Sequence, residues 1–144
     1  MLNKVFEKHA VWGLVFLRLG VGLIFFIHGI GKLFNVGPAA LGMSNVAGYL
    51  GTLSVPIPVF FAWVVAIVET FGGLFIILGL LTRLSALLIA VDMIVAILLQ
   101  HLSKGFLAQN GGFEFPLMLL LGAIALLFSG SGKKLSLERK LFKK

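Results

Sequence analysis

"RLGVGLIFFIHGIGKLF", residues 18–34, is the stretch of sequence that decides the fold. It belongs to an apolar run near the length of about 20 residues that a helix needs to cross a bilayer. The same run contains Arg18, His28 and Lys32. A charged side chain inside a membrane costs about 3 kcal/mol or more, so it faces a partner or a cavity. The sequence therefore predicts a transmembrane helix whose polar side chains point into a bundle.

Helical geometry places these polar residues on one side of the predicted helix. At about 100° per residue, Lys32 lies about 40° from Arg18, and His28 lies about 80° away in the same direction. Gly22 and Gly29 fall on that side as well. Because glycines allow helices to approach closely, we expect this side to face the other helices.

Composition extends the membrane interpretation to the whole chain. The protein has 144 residues, of which 60% are hydrophobic and 12% are charged, about half the usual charged fraction of a soluble domain. A soluble domain of this size could not bury so much apolar surface. The absence of cysteine excludes thiol chemistry, iron–sulfur ligation and thiolate-bound zinc.

The predicted fold is an all-α membrane protein built as a four-transmembrane-helix bundle. The predicted spans are residues 11–34, 57–81, 84–102 and 113–129, followed by a basic tail over 130–144. Together they form a single domain over residues 1–144. The apolar spacing in the first outer loop predicts a short interfacial helix, capped by Ser44 and ending near Leu53.

The distribution of basic residues predicts that both termini are cytoplasmic, because cytoplasmic loops carry an excess of Lys and Arg. With that orientation nine basic residues lie inside and two lie outside. The outside residues are Lys32 and Lys104. Arg83 would anchor the inner loop to lipid headgroups. The inside residues are Lys4, Lys8, Arg83, Lys133, Lys134, Arg139, Lys140, Lys143 and Lys144. A basic tail beside membrane spans indicates a lipid surface as the partner and not nucleic acid.

Helix rise of about 1.5 Å per residue divides the ionisable side chains into two predicted layers. The middle layer contains Arg18, Glu69 and Asp92, in which Arg18 would pair with one of the two carboxylates and fix the helix register. The outer layer contains His28, Lys32, His101 and Glu114.

Several hypotheses for the outer layer stay open at this point. The polar groups could simply neutralise one another. They could bind a quinone head, because histidine and carboxylate groups hydrogen-bond and move protons. Haem b held by His28 and His101 is disfavoured, because two lone histidines are a weak signal. A proton path through Asp92, Glu69 and Glu114 is the last hypothesis. No metal site is predicted.

Several segments together resemble the DoxX family of small four-helix membrane proteins. "RLGVGLIFFIHGIGKL" is similar to the first-span pattern of that family, and "YLGTLSVPIP" is similar to its outer-loop ending. "VETFGGLFIILGLLTRLSALLI" resembles its second and third spans, with Glu69, Gly79 and Arg83. "NGGFEFPLMLL", with Glu114, and "GSGKKLSLERKL" resemble its last span and closing segment. Asp92 has no counterpart in the family pattern.

The resemblance implies a redox accessory protein of a bacterial or archaeal cytoplasmic (inner) membrane. Some family members resemble subunits of thiosulfate:quinone oxidoreductase or of a complex with superoxide dismutase and a sulfurtransferase. We therefore expect a quinone-like or lipid-like head group to contact His28, Lys32, His101 and Glu114. Other membrane or redox subunits, or a second copy of the chain, would be its partners. The alternative is a non-catalytic membrane scaffold or assembly factor whose polar layers are purely structural. The chain could be a subunit of a quinone-linked oxidoreductase, but the sequence does not support catalysis by this chain alone.

Overall fold

The computed structural model describes residues 9–142, and these residues form only helices and connecting loops. The basic residues Lys4, Lys8, Lys143 and Lys144, on which the predicted orientation partly depends, lie outside the described residues. The α-helices are α1 (Gly13–Phe34), α2 (Met43–Thr52), α3 (Pro58–Leu78), α4 (Thr82–Ala96), α5 (Glu114–Ser129) and α6 (Leu137–Phe142).

Three helical stretches are long and apolar enough to cross a membrane: Ala10–Phe34, Pro58–Leu78 and Thr82–Lys104. The fourth predicted span forms the apolar helix α5, which has 16 residues and is shorter than the other three. The all-α class predicted from the sequence is confirmed, and the three long apolar stretches are those of a protein embedded in a lipid bilayer.

Close packing of α1 against α3 fixes how the two helices are staggered. Gly22 lies against Gly73 and Ile77, and Gly29 lies against Thr70. A Cβ atom at Gly73 would come within 2.7 Å of the carbonyl oxygen of Gly22, so only glycine allows this separation. The glycine-bearing side of α1 therefore faces another helix, as the sequence predicts.

The hydrophobic core lies where α3, α4 and α5 meet α1. Alanines let α4 and α5 approach closely, because Ala86 and Ala123 are fully buried. Larger side chains fill the remaining space. The buried core residues are Val21, Phe25, Ile76, Ala86, Ile89, Ala90, Met93, Leu119, Ala123 and Leu126.

A short helix is present in the first loop as α2, as the sequence predicts, although Ser44 does not cap it, and its position at the membrane interface stays a prediction. The N-cap residue is Gly42, which has φ +76 and makes no side-chain cap. The peptide N–H groups of Leu41 and Gly42 both donate to the carbonyl of Gly31 at 3.1 and 3.2 Å. This loop folds back onto α1, and the residue that starts α2 must therefore adopt a positive φ, which favours glycine over serine.

The end of α4 continues as a π-helical turn over Ile97–His101 and then a 3₁₀ turn over Leu102–Lys104. Such π turns are rare and are frequent at functional sites. The wider turn places the three consecutive residues Leu99, Gln100 and His101 on the wall of one cavity.

Candidate functional site

A cavity of about 450 Å³ opens between α1, α2, α3, α4 and α5. Most of its wall is apolar, and it includes Phe25, Tyr49, Met93 and Phe115. Its polar or partly polar side chains are His28, Lys32, Tyr49, Glu69, Asp92, Gln100 and His101. A mostly apolar wall with a few converging polar groups is typical of a small-molecule site.

Lys32 of α1 and Glu69 of α3 form a hydrogen-bonded ion pair in the cavity wall. Only 14% of the Lys32 side chain and 7% of the Glu69 side chain are exposed. The assignment of Glu69 to a middle layer with Arg18 is therefore wrong. The stagger set by Gly29 and Thr70 brings Glu69 level with the last turn of α1, where Lys32 lies.

Asp92 lies in the same cavity wall, within electrostatic reach of Glu69 and Lys32. Its Oδ2 atom is buried, and no donor among residues 9–142 hydrogen-bonds to it. A buried carboxylate oxygen without a donor is costly in a protein interior, and such atoms are uncommon. This atom is available to a hydrogen-bond partner on a bound molecule.

His101 is held in one orientation by the loop that precedes α5. Its Nδ1 atom lies 2.7 Å from the carbonyl oxygen of Gly111. A carbonyl oxygen only accepts, so Nδ1 carries the proton of this hydrogen bond. In the neutral imidazole, Nε2 is then an acceptor, and His101 lines the cavity.

Glu114 is separate from the cavity, although the sequence predicts that it contacts a ligand there. Its Oε1 atom accepts a hydrogen bond from the peptide N–H of Ala108 at 2.6 Å. Glu114 is the first residue of α5, where a carboxylate is favourable near the helix N-terminus. It therefore orders the loop that carries Gly111, and it supports His101 indirectly.

Arg18 is almost completely buried, with 1% of its surface exposed, and it has no carboxylate partner among the described residues. Nε donates to Ile76 O at 2.9 Å, and Nη2 donates to Ile77 O at 2.8 Å and Leu135 O at 2.7 Å. Nη1 donates to Ser131 O at 2.7 Å and Lys134 O at 3.2 Å. All five N–H donors are used. The predicted Arg18–carboxylate pair is therefore wrong.

Carbonyl dipoles take the place of a counter-ion around Arg18. Ile76 and Ile77 belong to the last turn of α3, and the carbonyls at the C-terminal end of a helix carry partial negative charge. The chain after α5 supplies the other acceptors, and Ser136 ties this segment to the carbonyl of Gly79. The sequence contained no local signal for this arrangement, because the acceptors are backbone atoms more than 50 residues away along the chain.

Arg83 lies at the same end of the bundle and is exposed. It makes one long hydrogen bond, from Nη2 to the carbonyl of Phe128 at 3.4 Å. Its contact with lipid headgroups stays a prediction. No group of three or more His, Asp or Glu side chains within residues 9–142 is arranged to hold a metal ion.

Comparison with known proteins places this architecture in a family. The sequence profile of the DoxX family matches residues 13–102. The chain belongs to the DoxX family. Relatives of this DoxX protein include a Bacillus subtilis (strain 168) protein named "Putative oxidoreductase CatD", 36% identical over 142 residues, covering 99% of this chain and 93% of that protein. The "Uncharacterized membrane protein Rv3486" of Mycobacterium tuberculosis (strain ATCC 25618 / H37Rv) is 38% identical over 138 residues, covering 89% of this chain and 80% of that protein.

A third relative is an uncharacterized protein of Haemophilus influenzae (strain ATCC 51907 / DSM 11121 / KW20 / Rd), 33% identical over 142 residues, covering 96% of this chain and 97% of that protein. No solved structure gives a significant match to the chain. The DoxX match includes α1 to α4 and the π turn, and so it contains every polar residue of the cavity wall. Glu114 and the segment that binds Arg18 lie beyond it.

Proposed function

We propose that this DoxX protein is an accessory subunit of a redox system and binds the head group of a quinone-like or lipid-like molecule in the cavity. The observation that carries the proposal is a buried, unpartnered carboxylate oxygen of Asp92 in a mostly apolar cavity of about 450 Å³. An amphiphilic molecule would place its polar head beside Asp92, and its apolar part would contact the aromatic wall.

The proposed membrane arrangement has four spans, with both termini in the cytoplasm and the cavity toward the outer leaflet of the inner membrane. The 16-residue helix α5 supports a fourth span, because its length of about 24 Å comes close to the thickness of the hydrocarbon core. The basic residues Lys133, Lys134, Arg139 and Lys140 follow α5 in a segment that is hydrogen-bonded to Arg18, and their shared location supports that orientation.

The chemistry available in the cavity is binding and proton handling. Imidazole and carboxyl side chains are common general acids and bases in proteins, and His28, Asp92 and His101 supply such groups in the cavity wall. The name of the Bacillus subtilis relative, which includes "oxidoreductase", supports an association with redox chemistry. Electron transfer itself would be the task of partner subunits.

A second candidate is a membrane scaffold that binds another membrane protein or a second copy of this chain. The observation in its favour is that two of the most buried polar groups are fully used within the chain. Arg18 donates to five backbone carbonyls, and Lys32 pairs with Glu69. Such groups stabilise helix packing and require no ligand.

The test is to purify the full chain in a mild detergent and identify co-purified molecules by mass spectrometry. Ala96→Phe fills the cavity, whereas Ala125→Phe changes an exposed position of α5 outside it. We expect the wild type and Ala125→Phe to retain a quinone or lipid that Ala96→Phe loses. A protein that carries no such molecule would support the scaffold, and a Soret band in its visible spectrum would indicate haem instead.

A further inference from the structure

The chain after α5 is held against the turn that joins α3 to α4, and residues 130–142 are called the anchored segment below. Arg18 donates to three carbonyls of this segment. The hydroxyl of Ser136 and the peptide N–H of Glu138 both donate to the carbonyl of Gly79, at 3.1 and 3.0 Å. Gly79 lies in the turn between two apolar stretches that are long enough to cross a membrane. Because such a turn lies at the membrane surface, the anchored segment lies there as well.

Three large apolar side chains of the anchored segment are exposed: Leu135 by 64%, Leu141 by 65% and Phe142 by 61%. Leu135 also has φ +48, a left-handed conformation that is unfavourable for a residue with a Cβ atom. Its carbonyl accepts a hydrogen bond from Arg18, so this contact holds Leu135 in place although its side chain gains little burial. Apolar side chains at a membrane surface are stabilised when they insert between the headgroups and the acyl chains.

Basic side chains are interleaved with these apolar ones. Residues 133–142 read "KKLSLERKLF", in which all four basic residues are exposed and Glu138 is the one acidic residue. Arg83 is exposed as well, and its Nε atom lies 3.2 Å from the position that a Cβ atom would take at Gly130, where the segment begins. Cations clustered at a membrane surface attract anionic lipids. The charge of this end of the bundle therefore complements an anionic headgroup layer.

We propose that the anchored segment and Arg83 form a docking surface for anionic phospholipids of the surrounding membrane. The cations contact lipid phosphate groups, and Leu135, Leu141 and Phe142 insert beside the acyl chains. An acidic, polar face of a partner protein would match the cations but would leave the three apolar side chains in water. The surface shares no residue with the cavity wall. The proposal thus goes beyond the proposed function and does not depend on it.

The test measures which phospholipid contacts the anchored segment in a membrane. Because the chain has no cysteine, Phe142→Cys provides a single site for a bimane label, whose ring takes the place of the phenyl ring. The labelled full chain is reconstituted in phosphatidylcholine nanodiscs with increasing fractions of phosphatidylglycerol or phosphatidylcholine that carries a nitroxide on one acyl chain. The nitroxide quenches bimane on contact, so the two quenching curves give the relative affinity of the two lipids for this surface.

We expect phosphatidylglycerol to be preferred at least about tenfold at low salt, and the preference to fall below about threefold at high salt, because salt screens exposed charges. Lys134→Gln removes one exposed cation of the segment and should lower the preference about fivefold. Lys104→Gln is the matched control, because it removes one exposed cation outside the segment. It should leave the preference within about 1.5-fold of the wild-type value.

Leu135→Asn separates lipid insertion from a structural role of the leucine. It should lower the quenching by both lipids at least about twofold. Its melting temperature in detergent should stay equal or rise, because asparagine tolerates a positive φ better than leucine. A lower melting temperature with unchanged quenching would overturn the insertion of Leu135. Equal quenching by the two lipids that Lys134→Gln leaves unchanged would overturn the anionic preference. If neither lipid quenches the label, the segment faces water or another protein and the docking surface is overturned.

Discussion

Lys32, in the last turn of α1, and Glu69, near the middle of α3, form a buried ion pair in the cavity wall. The pair joins the two helices that pack through Gly22, Gly29 and Gly73. It keeps two charges inside the bundle without leaving either one unpaired. It also removes the Lys32 ammonium from the set of donors available to a ligand.

Replacing one side chain of this ion pair should destabilise the protein more than replacing both side chains together. Lys32→Met or Glu69→Gln leaves an uncompensated buried charge and should each cost about 3–5 kcal/mol. The double variant Lys32→Met/Glu69→Gln should cost clearly less than the sum of the two. Thermal unfolding in detergent, followed by circular dichroism, gives the loss of stability of each single variant and of the double variant. Additive single effects would show that the two side chains are not coupled.

Replacing Arg18 with lysine should destabilise the protein although the charge is retained. Lysine has three donors on a flexible stem, so two of the five hydrogen bonds to carbonyls are lost. We expect a loss of about 2–4 kcal/mol in the free energy of unfolding. Proteolysis between residues 130 and 142 should also become faster, because Ser131, Lys134 and Leu135 lose their anchor.

Arg83→Lys is the matched control, because Arg83 is exposed and makes one hydrogen bond of 3.4 Å. The free energy of unfolding of Arg83→Lys should stay within about 0.5 kcal/mol of the wild-type value. Its rate of proteolysis should stay within about twofold of the wild-type rate. An Arg18→Lys variant that behaves like this control would contradict the anchoring role of the guanidinium.

Alanine substitutions at Gly73, which lies inside the α1–α3 contact, and at Gly20, which lies outside it, should have opposite effects on stability. Gly73→Ala should cost about 1–3 kcal/mol, because the new methyl group collides with backbone atoms of α1. Gly20→Ala should be neutral or stabilising by up to about 1 kcal/mol, because nothing lies within 4 Å of its Cβ position. Melting temperatures of the two variants check the prediction, and equal losses at both sites would contradict the close approach of the helices.

Gly79→Ala should be more destabilising than Gly37→Ala, although both glycines have positive φ values of +64 and +79. At Gly37 the substitution carries only the conformational cost of about 1–2 kcal/mol, because its Cβ position is open. At Gly79 the Cβ atom would also lie 2.6 Å from Arg18 Nη2. We expect at least about 1 kcal/mol of additional loss. Equal melting temperatures for the two variants would contradict the contact between the Arg18 guanidinium and Gly79.

The sequence predicts the helices and the residues of the cavity better than the partners of each polar side chain. His28, Lys32 and His101 were identified from their positions and do line one cavity, whereas Glu114 lies outside it. Asp92 and Glu69 were assigned to a separate layer with Arg18. Depth counted from the start of each helix assumes that the helices begin at one level, and here they do not.

Composition and periodicity by themselves determined that this chain forms apolar helices in a membrane and that Arg18, Lys32, Gly22 and Gly29 face inward. These properties follow from the residues of one segment and their helical spacing. Only the tertiary structure decided that Lys32 meets Glu69, because the stagger of α1 and α3 depends on contacts between glycines on two helices. It also decided that backbone carbonyls surround Arg18. Carbonyls occur at every residue, so their convergence depends on where the chain ends one helix and returns after another.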